Sequence, residues 1–152
     1  MKPRPKIALY EPDIPQNTAA IIRTCACLGA KLEIIAPCGF LLTDKRFKRV
    51  VMDYMDFEQI EFYHSSDKFF EAKKNQRIVL MTTKGSISYT NFKFNSEDTI
   101  LFGRESAGVP ESVHKLIKNR LKIPMNENTR SLNIASSVAI VLAESLRQTG
   151  LL

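Results

Sequence analysis

Few histidines, few glycines and no long apolar run set the first limits on this chain. Its 152 residues hold two histidines, His64 and His114, and neither sits in a pattern that matches a serine-hydrolase triad. Both read as surface or packing residues. Three cysteines form an odd set, and Cys25-x-Cys27 lacks the two-residue gap of common zinc and redox motifs. With no second pair to complete a tetrahedral site, no metal is expected, and Cys25, Cys27 and Cys38 read as reduced, core-facing thiols. No apolar stretch approaches the roughly 18 to 20 residues that span a bilayer, so no membrane contact is expected. The opening MKPRPKIALYEPDIP is basic, but prolines, Glu11 and Asp13 interrupt it before any signal-type apolar core, and a cytoplasmic protein is expected.

The six glycines exclude the common phosphate cradles. None falls in G-x-G-x-x-G, and the first predicted strand is followed by EPDIPQNT rather than by a glycine-rich loop. Gly103 and Gly108 have the four-residue separation of a P-loop, yet Val109 and Pro110 stand where Lys and Ser or Thr belong. Glu105 would also place negative charge where phosphates sit. Ser106 lies in E-S-A-G rather than G-x-S-x-G, and no acidic cluster suits magnesium-dependent phosphoryl transfer.

What is present is an ordinary globular composition, 44% hydrophobic and 25% charged, at a length that suits one domain with a real core. The net charge of +6 permits a polyanionic partner. Its densest cluster is DKRFKR, with Lys45, Arg46, Lys48 and Arg49, readable as a solvated helix face or as phosphate-neutralising contacts.

Strand-like runs occur at 7–10, 32–36, 60–63, 77–83, 99–103 and 121–124. Helical patterns fall at 16–28, 44–50, 66–74, 110–119 and about 131–148. In the first helix Ala20, Ile21, Cys25 and Leu28 supply the apolar spacing, and Gly29 stops it. This alternation predicts an α/β domain on a mostly parallel sheet, whose ligands bind beyond the carboxyl ends of the strands. Those ends carry MTTKG, FGRESAG and IPMNENTRS, three polar loops after three late strands. Along the last helix Ala135, Ala139 and Ala143 recur beside Val138, Leu142 and Leu146, a stripe that serves either core packing or a dimer interface. A glycine-exposed backbone with one carboxylate and no phosphate site suits a ligand such as S-adenosylmethionine, a class the residues narrow without naming.

Three segments in order, NTAAIIRTC (17–25), ILFGRESAGVP (100–110) and IPMNENTRSLNIASSVAIVLAE (123–144), resemble the motifs of the SPOUT RNA methyltransferases. ALYEPDIPQNTAAIIRTC and TDKRFKRVVMDY resemble, within that superfamily, the small tRNA wobble-nucleotide 2′-O-methyltransferases of the TrmL (YibK) type. The resemblance covers nearly the whole chain and implies a single domain over 1–152, without an appended RNA-binding domain. It implies a deep C-terminal trefoil knot, which periodicity could not predict, and a homodimer.

The activity it implies is S-adenosyl-L-methionine-dependent 2′-O-methylation of cytidine or uridine 34, with tRNA-Leu isoacceptors as expected substrates. Another tRNA position, a ribosomal RNA, or non-catalytic RNA binding are the alternatives. Carried onto this chain, the cofactor is held by Met81, Thr82, Thr83, Gly103, Ile123, Met125, Ser131, Leu132 and Asn133. Gly103 is expected to be glycine because a side chain would crowd the ligand. Arg23 is the arginine implicated in activating the ribose hydroxyl, by orienting and polarising it or, if strongly perturbed, as a base. Asn17 positions Arg23 and its loop, and Glu105 orients Arg23 or the substrate. Lys45, Arg46, Lys48, Arg49, Lys84, Arg104 and Arg130 would contact the anticodon stem-loop. Related sequences often carry proline where Arg104 stands and an aromatic residue where Ala143 stands.

Overall fold

The computed structural model describes residues 2–41, 43–54, 59–129 and 131–152. Seven strands form one wholly parallel sheet: β1 (Lys6–Tyr10), β2 (Lys31–Ile35), β3 (Ile60–Tyr63), β4 (Ile78–Met81), β5 (Ile87–Ser88), β6 (Thr99–Phe102) and β7 (Asn119–Lys122). Their spatial order is β3-β2-β1-β6-β4-β7-β5. Five helices flank them: α1 (Pro15–Leu28), α2 (Lys45–Tyr54), α3 (Ser66–Ala72), α4 (Glu111–Leu116) and α5 (Ile134–Gln148). The central strands read as near-continuous apolar runs because both faces of a parallel sheet are covered. All four residues of β6, TILF, are buried.

Side-chain alternation divides the core into two layers. Ile7, Leu9, Val79, Met81, Ile100, Phe102 and Leu121 face α1 and α5, where they meet Ile21, Ile22, Cys25, Val138, Val141, Leu142 and Leu146. On the other face Ala8, Tyr10, Leu80 and Leu101 meet Phe69 of α3 and Val113 and Ile117 beside α4. That thinner layer also buries an ion pair, Lys73 Nζ to Glu33 Oε2 at 2.7 Å, with both side chains 3% exposed or less. Tyr63 donates its hydroxyl to the same carboxylate oxygen at 3.2 Å. At the amino ends of the strands Arg77 makes a two-pronged contact to buried Asp98, 2.7 Å on each prong, and donates to the Lys93 carbonyl. This clamp ties the start of β4 to the start of β6.

Several element bounds differ from expectation for local reasons. The fourth helix ends at Leu116 rather than 119, because Ile117 is already extended (φ −95°, ψ 123°) and leads into β7. β7 accordingly spans 119–122 and leaves Ile123 and Pro124 in the following loop. α5 begins at Ile134, capped by Asn133, whose Oδ1 accepts the Ala135 amide at 2.8 Å. α2 runs further than 44–50, to Tyr54, and is started by Asp44, whose Oδ1 accepts from the Arg46 and Phe47 amides. The two residues of β5 were too short to show in the pattern; pairing to β7 alone makes them a strand. Ala20 is exposed, and the buried stripe of α1 is Thr18, Ile21, Ile22 and Cys25. Cys27 is exposed too, contrary to the core-facing reading, whereas Cys25 is buried. Burial pushes the Cys25 thiol up to about 12 and, with help from nearby Glu11 and Glu105, Cys38 up to about 11.

Candidate active site

A cavity of about 640 Å³ opens at the carboxyl ends of β4, β6 and β7, the position at which open parallel sheets bind ligands. All nine residues expected to hold the cofactor lie on its wall: Met81, Thr82, Thr83, Gly103, Ile123, Met125, Ser131, Leu132 and Asn133. Asn17, Lys84, Arg104 and Glu105 line it as well. Three loops, distant in sequence, therefore converge because three adjacent parallel strands deliver them to one edge.

Each loop is held by its own backbone. After β4, the Thr82 amide bonds to the Leu121 carbonyl at 2.9 Å and the Gly85 amide returns to the Thr82 carbonyl at 3.1 Å. A Cβ on Gly85 would lie 2.4 Å from the Leu121 carbonyl carbon, so only glycine lets this turn pass against β7. After β6, Arg104 and Gly108 exchange backbone hydrogen bonds of 3.3 and 2.8 Å, closing a five-residue loop with Gly108 at φ +66°. Within the chain, Gly103 is held to glycine by the loop it precedes. A Cβ there would stand 2.7 Å from Gly108 Cα, so the residue that a side chain would crowd is the loop itself. After β7, Asn133 donates from Nδ2 to Asn17 Oδ1 at 3.1 Å, pinning the start of α5 to the start of α1 across the cavity mouth.

The acidic wall was only partly anticipated. Glu105 Oε2 accepts the Asp13 amide at 2.9 Å, and Asp13 in turn accepts a short hydrogen bond from the Ser106 hydroxyl. Glu11, in the left-handed region at φ 42°, lies 3.7 Å from the Arg104 guanidinium. Burial first, and then the hydrogen bond shared with Asp13, raises the Glu105 carboxyl above its ordinary value. The hydrogen bond with Glu105 holds Asp13 below its own. As pH rises Asp13 therefore ionises ahead of Glu105. Glu105 Oε1, Asp13 Oδ1 and Arg104 Nε are buried with no hydrogen-bond partner among the described residues. Glu11 and Asp13 were visible in EPDIP only as interruptions of a basic segment; nothing in their spacing showed that β1 delivers them to Glu105.

Other expected residues fall elsewhere. Arg23 is exposed on α1 and is not on the cavity wall. Lys45, Arg46, Lys48 and Arg49 are exposed on α2, also away from the wall, where Phe47 alone of KRFKR turns inward against Phe40. Arg130 lies outside the described residues. His114 packs as expected, with Nδ1 3.0 Å from Arg120 Nη1, yet it also reaches the cavity wall. Among the described residues no group of three or more histidine, cysteine or acidic side chains could hold a metal ion, and no helix is long and apolar enough to cross a membrane.

An all-parallel α/β sheet whose polar loops converge on one pocket at the carboxyl ends of its strands defines a small ligand-binding or group-transfer domain. The model of the SpoU rRNA Methylase family matches residues 4–143, and the chain belongs to that family. It is 48% identical over 147 residues to a tRNA (cytidine(34)-2′-O)-methyltransferase of Ancylobacter novellus, covering 95% of this chain and 92% of that one. It is 39% identical over 146 residues to the protein of that name from Escherichia coli K12, covering 95% and 93%. A solved structure described as giving insights into the 2-OH methylation of C/U34 on tRNA superimposes with a TM-score of 0.88 at 37% identity, covering 96% of each chain.

Proposed function

We propose that this protein transfers a methyl group from S-adenosyl-L-methionine to the ribose 2′-oxygen of nucleotide 34 in tRNA, cytidine or uridine, with leucine isoacceptors as the first substrates to test. The observation that carries this reading is the convergence of all nine expected cofactor residues on one pocket, in a chain of 36–48% identity to proteins named for that reaction. The pocket fits the cofactor chemically. Its volume suits a nucleoside-sized ligand, Met81, Gly103 and Ile123 stand on its wall for backbone contacts to the cofactor, and Glu105 and Glu111 supply carboxyl groups there. When bound, the cofactor supplies an electrophilic methyl on a sulfonium. The chain positions and excludes: the apolar side chains of Leu80, Phe102, Val109 and Ile134 keep water from one side, and orientation supplies much of the rate.

Arg23 is the group we assign to the ribose hydroxyl, which it orients and polarises. Because Arg23 is not on the cavity wall of its own chain, this role requires a homodimer in which one copy's α1 faces the other copy's pocket. Exposed Ile140 and half-exposed Ala139 and Ala143 on α5, beside exposed Ala20 on α1, supply a face for that pairing. Asn17, through its bond to Asn133, positions the mouth, and Glu105 locks the β1 and β6 loops together.

The exposed cations of α2, with Lys84, Arg104 and Arg130, would contact the anticodon stem-loop backbone. We also assign the deep trefoil knot to this chain. β7 lies between β4 and β5, so the 82–86 connection must cross it, and Gly85 rests directly on the Leu121 backbone. The cytoplasm is where such an enzyme meets its tRNA.

Nucleoside mass spectrometry of tRNA from cells with and without the gene tests the assignment. Loss of 2′-O-methylcytidine and 2′-O-methyluridine at position 34 is expected; unchanged levels would refute it.

A further inference from the structure

A second cavity, of about 420 Å³, lies at the opposite end of the same two strands. Ile78 of β4 and Asn119 of β7 line it, with Phe70, Leu116, Lys74 and Lys118 on its rim. Leu116 is 64% exposed, a large apolar side chain left in water on a cavity that Phe70 also lines. From Asn119 to Ile123, on the wall of the first cavity, is four residues, or about 13 Å of extended chain.

The stretch joining the two cavities is purely cationic. Between 112 and 126 there is no acidic residue, while Lys115, Lys118, Arg120 and Lys122 all fall within it. Leu121 points into the core beneath α1 and α5, so Arg120 and Lys122 point to the other face, where Arg120 meets His114 of α4. α3 and α4, which lie on this face, are only seven and six residues long. Lys74, Lys115, Lys118 and Lys122 are exposed, and none makes an ion pair with a described residue. Arg120 and Lys122, alternate residues of β7, stand about 6.6 Å apart, with Lys118 just ahead of the strand, a spacing suited to successive phosphates.

We propose that the row Lys118, Arg120 and Lys122 is a backbone track for the RNA chain that enters the transfer pocket, and that the groove at Phe70 and Leu116 takes a base from that chain. This rests on the RNA reading above and adds a surface to it, separate from α2. Positive charge beside apolar and aromatic surface is the combination that holds an unpaired strand.

The test is tRNA binding across a salt series. Lys118→Gln/Lys122→Gln should weaken binding on the order of tenfold and lower the slope of log K against log salt by about 1.4 to 1.8, the loss of two phosphate contacts. Leu116→Ala should weaken binding severalfold with the slope unchanged, a split that a merely electrostatic patch would not give. Lys31→Gln, at the exposed start of β2, is the control and should match the parent protein in both. Parent-like slope and affinity in the double lysine variant would overturn the track while leaving methyl transfer intact, and a parent-like Leu116→Ala would remove the base groove. If the parent protein itself binds no tRNA, the RNA reading fails and the track with it.

Discussion

The two faces of the sheet are built on different terms. Towards α1 and α5, helices of fourteen and fifteen residues press a broad apolar layer onto the strands, closing that side and fixing the pocket mouth through Asn17 and Asn133. Towards α3 and α4, helices half as long cover a smaller apolar layer that also holds a buried ion pair, and exposed Lys118 and Lys122 flank β7. A thick apolar layer serves rigidity, and the loops of the candidate site hang from it. The thinner face leaves surface free for a polyanion.

The largest expected effect is on the thinner face. Lys73→Met leaves the Glu33 charge buried and alone, and should cost about 3–5 kcal/mol in denaturant unfolding. Adding Glu33→Leu should restore most of that loss, since a well-packed apolar pair often equals a buried ion pair. If Lys73→Met alone is neutral, the polar layer has no structural role. On the thicker face Leu142→Ala, at a fully buried position, should cost about 2–5 kcal/mol. A loss under about 1 kcal/mol would mean that this layer is less tightly packed than its burial implies.

Gly103→Ala is a milder change to the whole chain, at about 1–3 kcal/mol for overpacking. Locally it pushes Gly108, and with it the 104–108 loop, away from residue 103, and calorimetry should show adenosylmethionine affinity falling tenfold or more. Unaltered affinity would mean that this loop is not a cofactor wall.

The smallest effect concerns pH. Glu105 is raised, so its contribution to stability is in place below its ordinary value and is lost as pH climbs through the raised one. Asp13 is lowered, so its contribution is in place above its ordinary value and is lost as pH falls through the depressed one. The loop should be most stable between those ordinary values, 3.8 for Asp13 and 4.5 for Glu105. Glu105→Gln should abolish the decline on the alkaline side of that window, and a carbon-13 NMR titration of the two carboxyls would check the order in which they ionise.

Much of the thicker face was legible in the sequence. The i, i+3, i+4 spacing in α1 and α5 and the apolar runs of β1, β2, β4 and β6 set out the layers and brought the three polar loops to one edge. The nine residues proposed to hold the cofactor came from motif resemblance, and strand order then placed them on one cavity. The thinner face was harder to read. Helices of six or seven residues carry too little periodicity to bound, which is why the fourth overran into β7. β5 exists only through its pairing. Glu33 and Lys73 are forty residues apart in sequence, and no local pattern joins them. Glu11 and Asp13 gain meaning only when β1 sets them beside Glu105. The position of Arg23 outside its own pocket is likewise a property of the fold that no motif shows.

The central claim is methyl transfer to the 2′-oxygen of nucleotide 34. Purified protein, adenosylmethionine carrying a labelled methyl group, and unmodified tRNA-Leu transcript, followed by nuclease mapping and mass spectrometry, tests it most directly. One labelled methyl on the ribose of nucleotide 34, absent with Arg23→Ala protein that still binds adenosylmethionine, is the predicted result. Label on a base or at another position, or no transfer by a folded protein, would contradict it.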